Sequence, residues 1–180
     1  MPRQTLSDRV LIAYGSKYGS TAEIAETIGT TLRVAGLEVE ITRARKVRSL
    51  EPYRAVVLGS AVYMSRWRRD AMRLLRRREL RDREVWLFSS GPVGEDPPGP
   101  DETRERRTRP RLVEQQAVEI EAHEHVMFGG RVAEDGGFLR KRMAKKMPPD
   151  SRDRRDWGAI EAWAREIARA LESPPTARSS

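Results

Sequence analysis

Short apolar runs alternate with helical stripes along the chain, and this pattern predicts alternating strands and helices. Val10 to Tyr14 is a nearly all-apolar run that ends at Gly15, which is typical of a parallel strand covered on both faces. Apolar residues recur at helical spacing from Thr21 to Ala35, and Gly36 follows where a C-terminal cap belongs. The first unit is therefore predicted to be a strand, a glycine-bearing turn and a helix.

The same alternation continues through the rest of the chain. Four more strands are predicted, at 37–42, 55–59, 85–88 and 125–132. In the first of these, apolar and polar residues alternate, which indicates a place near the edge of a sheet. Further helices are predicted around 72–75 and over 112–120, 136–147 and 157–171. The order indicates one α/β domain over residues 1–173 with helices on both faces of a parallel sheet, a charged surface loop before Pro110 and a disordered tail at 174–180.

The amino-acid composition excludes several kinds of functional site. The chain has 180 residues, enough for one domain with a substantial core, and 38% of them are hydrophobic. It has no cysteine, which excludes disulfides, iron–sulfur clusters, thiolate zinc sites and a cysteine nucleophile. No apolar run approaches the roughly 18 residues that cross a bilayer, and no signal peptide is recognisable, so a cytoplasmic location is expected.

The turn after the first strand has the residues of a phosphate site. It reads Gly15-Ser16-Lys17-Tyr18-Gly19-Ser20-Thr21 and leads directly into the first helix. A helix start offers unpaired amides and a partial positive charge, and the hydroxyls add donors. Lys17 lies mid-loop and there are two glycines rather than three, so neither a Walker A loop nor a dinucleotide fingerprint fits. The alternative is that the hydroxyls only cap the helix.

This turn resembles the FMN phosphate loop of flavodoxins. Residues 53–72, 138–147 and 156–171 show a narrower resemblance, to menaquinone-dependent protoporphyrinogen dehydrogenases. The resemblance implies a flavodoxin-like, doubly wound five-stranded sheet in the order 2-1-3-4-5, with FMN as cofactor. The residues it assigns to FMN are Ser16, Lys17, Tyr18, Gly19, Ser20 and Thr21 for the phosphate, Ser60, Ala61, Val62, Tyr63 and Met64 beside the ring, and Ser90, Gly91, Pro92 and Val93 at its pyrimidine edge.

The chain departs from electron-carrier flavodoxins in its aromatic residues. Such carriers usually place the ring between aromatics from two loops, but residues 89–99 contain none. Tyr63 and Trp67 are the nearby candidates, so stacking would be one-sided and the other face of the ring would be open to a substrate. For both residues, packing in the core is an equally good interpretation.

Charge favours an enzyme over a carrier. The net charge is +8, and nine arginines lie between Arg66 and Arg83, directly after the candidate ring loop. A solvated helix face explains most of them, and the arginine bias also fits a genome-composition effect. A cation about 6 Å from the ring would nevertheless favour the anionic reduced flavin by roughly 3 kcal/mol at an effective dielectric near 20. The hypothesis is a two-electron flavin oxidoreductase, with a one-electron carrier as the alternative.

Partners follow from the same resemblance and the same charge. A quinone or another redox partner is expected, and an acidic porphyrinogen would suit Arg66, Arg68 and Arg131. The basic stretch 138–147 is expected either to contact anionic lipid at the inner face of the membrane or to be an ordinary peripheral helix. The chemistry would come from the cofactor, so no catalytic acid or base is predicted.

Single features of the sequence suggest three other classes of protein. His123 and His125 have a spacing that suits two metal ligands, but the chain has no third histidine, and no metal site is predicted. The sequence pI of about 10.4 suits a nucleic-acid-binding module, although no reader motif is present. A signalling receiver domain needs acidic residues where Ser16 and Ser60 stand, which excludes it.

Overall fold

The computed structural model describes residues 9–17, 19–91, 110–130, 153 and 155–172. Within them, the strands are β1 Arg9–Gly15, β2 Val39–Arg43, β3 Tyr53–Tyr63, β4 Arg66–Trp67, β5 Glu84–Gly91 and β6 Glu124–Gly129. The α-helices are α1 Ser20–Val34, α2 Arg69–Leu75, α3 Arg111–Glu119 and α4 Trp157–Glu172. Two short 3₁₀ helices lie at Ala44–Lys46 and Arg78–Asp82.

The five long strands form a parallel sheet in the order β2-β1-β3-β5-β6. Counting only these parallel strands, the order is 2-1-3-4-5, so the predicted topology is confirmed. The strand with alternating polarity, β2, lies at an edge as predicted. The strand order reverses between β1 and β3, and their carboxyl ends are where ligands of such sheets bind.

The two faces of the sheet carry separate hydrophobic clusters because successive strand residues point to opposite sides. Ile12 and Val57 face a cluster that includes residues of α1 and α4, and Leu11 and Val56 face another that includes residues of α2 and α3. All four strand residues are fully buried. This double burial is why the strands read as continuous apolar runs.

The first face has an aromatic centre. Phe88, Phe128 and Trp163 contact one another with ring centroids 5.5 to 6.2 Å apart. A side chain at Gly59 would overlap the ring of Phe88, so the glycine of β3 lets that ring lie flat on the strand. Large buried side chains of this kind contribute about 3–5 kcal/mol each by truncation.

The structure corrects the length of the third strand. The apolar run at 55–59 is only the middle of β3, which continues to Tyr63 and turns back into β4. The final helix lies where it was predicted, at Trp157–Glu172. The predicted basic helix at 136–147, most of the loop before Pro110 and the tail at 174–180 lie outside the described residues, and the 1–173 domain boundary stays a prediction. None of the helices in the described ranges is long and apolar enough to cross a bilayer.

Candidate cofactor site

The carboxyl ends of β1, β3 and β5 meet at one edge of the sheet. In the strand register, Gly15 is opposite Ser60, Ser60 is opposite Ser89, and Ala61 is opposite Ser90. The strand ends that carry candidate residues are therefore neighbours. Three serines of β3 and β5, at 60, 89 and 90, are at most 3% exposed.

The turn after β1 leaves the start of α1 available to a ligand. Gly19 is the N-cap of the helix with φ 90°, and among the described residues no side chain caps the helix there. The Gly19 amide donates instead to Ser16 Oγ at 3.0 Å, which closes the turn. A Cβ at Gly19 would find no described atom within 4 Å. The hydroxyls of Ser16 and Thr21 thus have the Gly19 amide and Ser90 as their partners among the described residues.

Two contacts fix this turn to its neighbours. The hydroxyls of Thr21 and Ser90 share a buried hydrogen bond of 2.7 Å, which joins the start of α1 to the end of β5. Arg43, at the end of β2, donates from Nη1 to the carbonyl oxygen of Ser16 at 3.0 Å. The turn is thus held from both sides, and a guanidinium lies beside it.

The carboxyl end of β3 turns back into β4 as a tight hairpin, here called the 60–68 hairpin. Val62 pairs with Trp67 and Tyr63 with Arg66, and Met64 and Ser65 form the turn. Both turn residues have positive φ, 48° and 58°, which is the pattern of a type I′ turn. At the base of the hairpin, the Arg68 amide donates to Ser60 Oγ at 3.0 Å.

The two candidate aromatic residues have different environments. Trp67 is 5% exposed, and its indole Nε1 donates to Ser89 Oγ at 2.7 Å, so it packs inside the protein. Of the two interpretations of Trp67, the structure supports packing in the core. Tyr63 is 38% exposed and Met64 is 96% exposed at the hairpin tip, where both offer apolar surface.

Some of the remaining candidate residues are among those that the structure describes, and the others are not. Lys17 is exposed and Ser20 begins α1, whereas Ala61, Val62 and Gly91 are half-buried beside the site. A Cβ at Gly91 would contact Val62 at 3.4 Å, so the carboxyl ends of β3 and β5 lie side by side. Tyr18, Pro92, Val93 and Arg131 lie outside the described residues.

The arginines after the hairpin have mixed roles. Arg66 is exposed opposite Tyr63, and Arg68 lies 3.8 Å from the carboxylate of Asp70. Farther on, Arg77 donates to the carbonyl of Val47 at 2.8 Å, which joins the segment after α2 to the segment after β2. Part of the run is therefore structural, and Arg66 is the cation next to the hairpin tip.

The two histidines lie in different environments and do not converge. His123 pairs with Glu84 and stacks on Trp86, with ring centroids 4.5 Å apart. His125 lies 2.8 Å from Ser89 Oγ, beneath the site. No group of three metal-binding side chains occurs in the described ranges. The contact of His125 with Ser89 is one that sequence spacing does not indicate.

This arrangement suits a phosphate ester joined to a flat apolar group. The start of α1 offers amides and hydroxyls to a dianion, and Gly19 permits a close approach of the backbone. The hairpin tip offers exposed apolar surface beside it. The residues present therefore fit a flavin mononucleotide.

Comparison with known proteins finds the same fold. A family model described as a flavodoxin domain matches residues 11–153. Rubredoxin oxygen:oxidoreductase from Desulfovibrio gigas aligns with a TM-score of 0.62 and 14% identity over 94% of this chain, which spans only 37% of that protein. An archaeal flavodoxin aligns with a TM-score of 0.60 and 12% identity, over 92% of this chain and 99% of its own. Flavodoxin 2 from Bacillus cereus gives 0.59 and 20% over the same shares. No curated protein sequence matches the chain.

Proposed function

This chain belongs to the flavodoxin-domain family, whose cofactor is FMN, and we propose that it is an FMN-dependent oxidoreductase that transfers electrons in pairs. The observation that carries the proposal is the start of α1, which has no side-chain cap among the described residues. It lies next to a hairpin tip with exposed apolar surface. Bound FMN supplies the redox chemistry, and the chain supplies binding, orientation and charge.

The phosphate is assigned to the turn after β1. The amides at the start of α1 and the hydroxyls of Ser16, Ser20 and Thr21 would hold it, and the helix dipole favours its negative charge. Arg43 adds a positive charge through its bond to the Ser16 carbonyl. Lys17, which is exposed on the same turn, would screen the dianion from solvent.

The ring is assigned to the space between the 60–68 hairpin and the end of β5. Tyr63 and Met64 would cover one face, and Ser90 and Gly91 would contact the pyrimidine edge through their backbone. With Trp67 buried, the described residues include no second aromatic residue from the hairpin. This one-sided arrangement leaves room for a substrate against the other face of the ring.

Paired electron transfer is supported by charge. Arg66 is exposed and pairs with Tyr63 across the hairpin. Arg68 follows two residues later, directly before α2. Cations beside the ring favour its fully reduced anionic form over its oxidised form. A quinone is the proposed acceptor, and the resemblance to menaquinone-dependent protoporphyrinogen dehydrogenases points to a porphyrinogen as donor. Arg66 and Arg68 would then also attract the carboxylates of the donor.

The first experiment compares the two glycines at the ends of α1. Gly19 and Gly36 both have φ 90°, and a Cβ on either would meet no described atom within 4 Å. Alanine at each position should therefore cost a similar amount of stability, on the order of 1 kcal/mol. Gly19→Ala should weaken FMN binding about tenfold or more in a calorimetric titration, whereas Gly36→Ala should leave it unchanged. Equal affinities for the two variants would refute the phosphate assignment.

The second experiment tests electron pairing. In Arg66→Gln the midpoint potential of bound FMN should fall on the order of 20 mV, because a cation near the ring is lost. Arg76→Gln, at the exposed far end of α2, is the matched control and should not change it. Two widely separated one-electron potentials in the parent would instead identify a one-electron carrier. Turnover of a porphyrinogen with a menaquinone analogue tests the substrate.

A further inference from the structure

A buried chain of four polar side chains runs beneath the 60–68 hairpin. The indole Nε1 of Trp67 donates to Ser89 Oγ at 2.7 Å, and that oxygen lies 2.8 Å from His125 Nε2. Nδ1 of His125 lies 2.7 Å from Glu114 Oε1. Trp67 is 5% exposed and Ser89 is fully buried, and the His125 side chain is 3% exposed. Among the four, Glu114 alone reaches solvent, with 40% of its side chain exposed.

The chemistry of the two ends gives this chain one direction. An indole N–H can only donate, and a carboxylate can only accept. Ser89 therefore accepts from Trp67, and with the His125 ring neutral the Ser89 hydroxyl donates to Nε2 of His125. The neutral ring then carries its proton on Nδ1 and donates it to Glu114. Every link uses one donor and one acceptor, and the last is strengthened by the charge of the carboxylate.

The hairpin needs such support because its turn is unfavourable on its own. Met64 and Ser65 both adopt positive φ without being glycine, a conformation that persists where surrounding contacts hold it. Trp67 is paired with Val62, so the position of the indole fixes the returning arm of the hairpin relative to β3. The indole also meets the His125 ring edge-on, with centroids 5.9 Å apart.

We propose that His125 is a positioning residue for the flavin ring. With Glu114 it orients Ser89, Ser89 orients the indole of Trp67, and the indole holds the hairpin whose tip covers the ring. The inference rests on the proposed function, because the ring contact of the hairpin tip is assigned there. It concerns a residue of β6, outside both the turn after β1 and the 60–68 hairpin, and so adds a determinant that neither of them contains.

A second histidine–glutamate pair elsewhere in the protein provides a matched control. His123 pairs with Glu84 and stacks on Trp86 at the amino end of β6. Its side chain is 41% exposed, and Trp86 belongs to the hydrophobic cluster on the other face of the sheet. A change at this pair removes the same chemical groups without touching the chain beneath the hairpin.

The test uses His125→Phe and Glu114→Gln with His123→Phe and Glu84→Gln as matched controls. In the apoprotein, the ¹H–¹⁵N signal of the Trp67 indole should shift and exchange faster in the first two variants only. FMN affinity should fall about tenfold in His125→Phe and about threefold in Glu114→Gln. The visible circular dichroism of bound FMN, which reports the surroundings of the ring, should change in the same two variants.

Several results would overturn the inference. One is an indole signal that does not respond in either variant, and another is an indole response with unchanged FMN affinity and dichroism. If His125→Phe does not fold, Glu114→Gln decides the matter, because its carboxylate is partly exposed and the variant keeps its shape. Failure of the parent apoprotein to bind FMN would overturn the proposed function as well, whereas the indole signal reports on the buried chain alone.

Discussion

The two faces of the sheet are built differently, and the difference separates stability from ligand positioning. The face covered by α1 and α4 has the aromatic cluster of Phe88, Phe128 and Trp163. The face covered by α2 and α3 is mainly aliphatic, but it encloses the Trp67–Ser89–His125–Glu114 chain near the ligand edge. Buried polar groups add less to stability than apolar packing does, yet they fix one geometry. The first face should therefore set the free energy of unfolding, and the second the position of the hairpin.

The largest expected effect is on the aromatic face. Trp163→Ala should lower the free energy of unfolding by about 3–5 kcal/mol, because it empties a site that is 6% exposed between two phenylalanine rings. Chemical denaturation measures the loss. The FMN affinity of the folded fraction should stay near that of the parent, and a parallel loss of affinity would break the division between the faces.

The next largest expected effect is a loss of stability at high pH, which arises from the phenol of Tyr53 on the second face. Burial, followed by the hydrogen bond to Glu40, raises the pKa of Tyr53 from 10.0 to about 12. Because the folded-state pKa lies above the unfolded value, this stability is complete below pH 10 and is lost as the pH rises towards 12. The hydroxyl lies near the surface, where solvent screens its interactions, so the loss should amount to about 1–2 kcal/mol.

Denaturation at pH 9 to 12 measures this slope, and Tyr53→Phe is the control. The variant lacks the phenol that donates to Glu40 at 2.6 Å, so its stability should vary less over the same interval. Identical slopes in parent and variant would mean that Tyr53 titrates normally in the folded protein.

The smallest effect on stability, with the largest effect on ring binding, is expected at Ser89. Ser89→Ala removes the group between Trp67 and His125 and leaves both without that buried partner, which should cost about 1–2 kcal/mol. The visible dichroism of bound FMN should change as well. Ser49→Ala, where an exposed hydroxyl accepts from the Glu51 amide, should do neither. If the visible dichroism of FMN bound to Ser89→Ala is unchanged, the hydrogen bonds of Ser89 with Trp67 and His125 do not position the ring.

Local patterns predict the fold and the turn that leads from β1 into α1, but not the hairpin. The runs at Val10 and Val57 are buried on both faces, which is why they indicate a parallel sheet directly. The turn of the hairpin is Met64-Ser65, which lacks the glycine or asparagine that normally signals a type I′ turn, so the sequence predicts β3 too short. The sequence leaves Trp67 open between core and ligand, because both uses need the same apolar ring.

The buried chain could not be found from sequence spacing. Ser89 lies 36 residues from His125, and His125 lies 11 residues from Glu114. The pairing of β5 with β6, and the packing of α3 against β6, bring these residues together. The sequence also gives His123 and His125 the same neighbour, Glu124, so nothing local distinguishes the exposed histidine from the buried one.

The central claim is that the start of α1 holds the phosphate of a flavin, and calorimetry of the apoprotein with two ligands tests it most directly. FMN and riboflavin share the ring and differ in the phosphate. FMN should bind at least about a hundredfold more tightly than riboflavin, a difference of about 2.7 kcal/mol. Equal affinities, or no binding of either ligand, would contradict the claim.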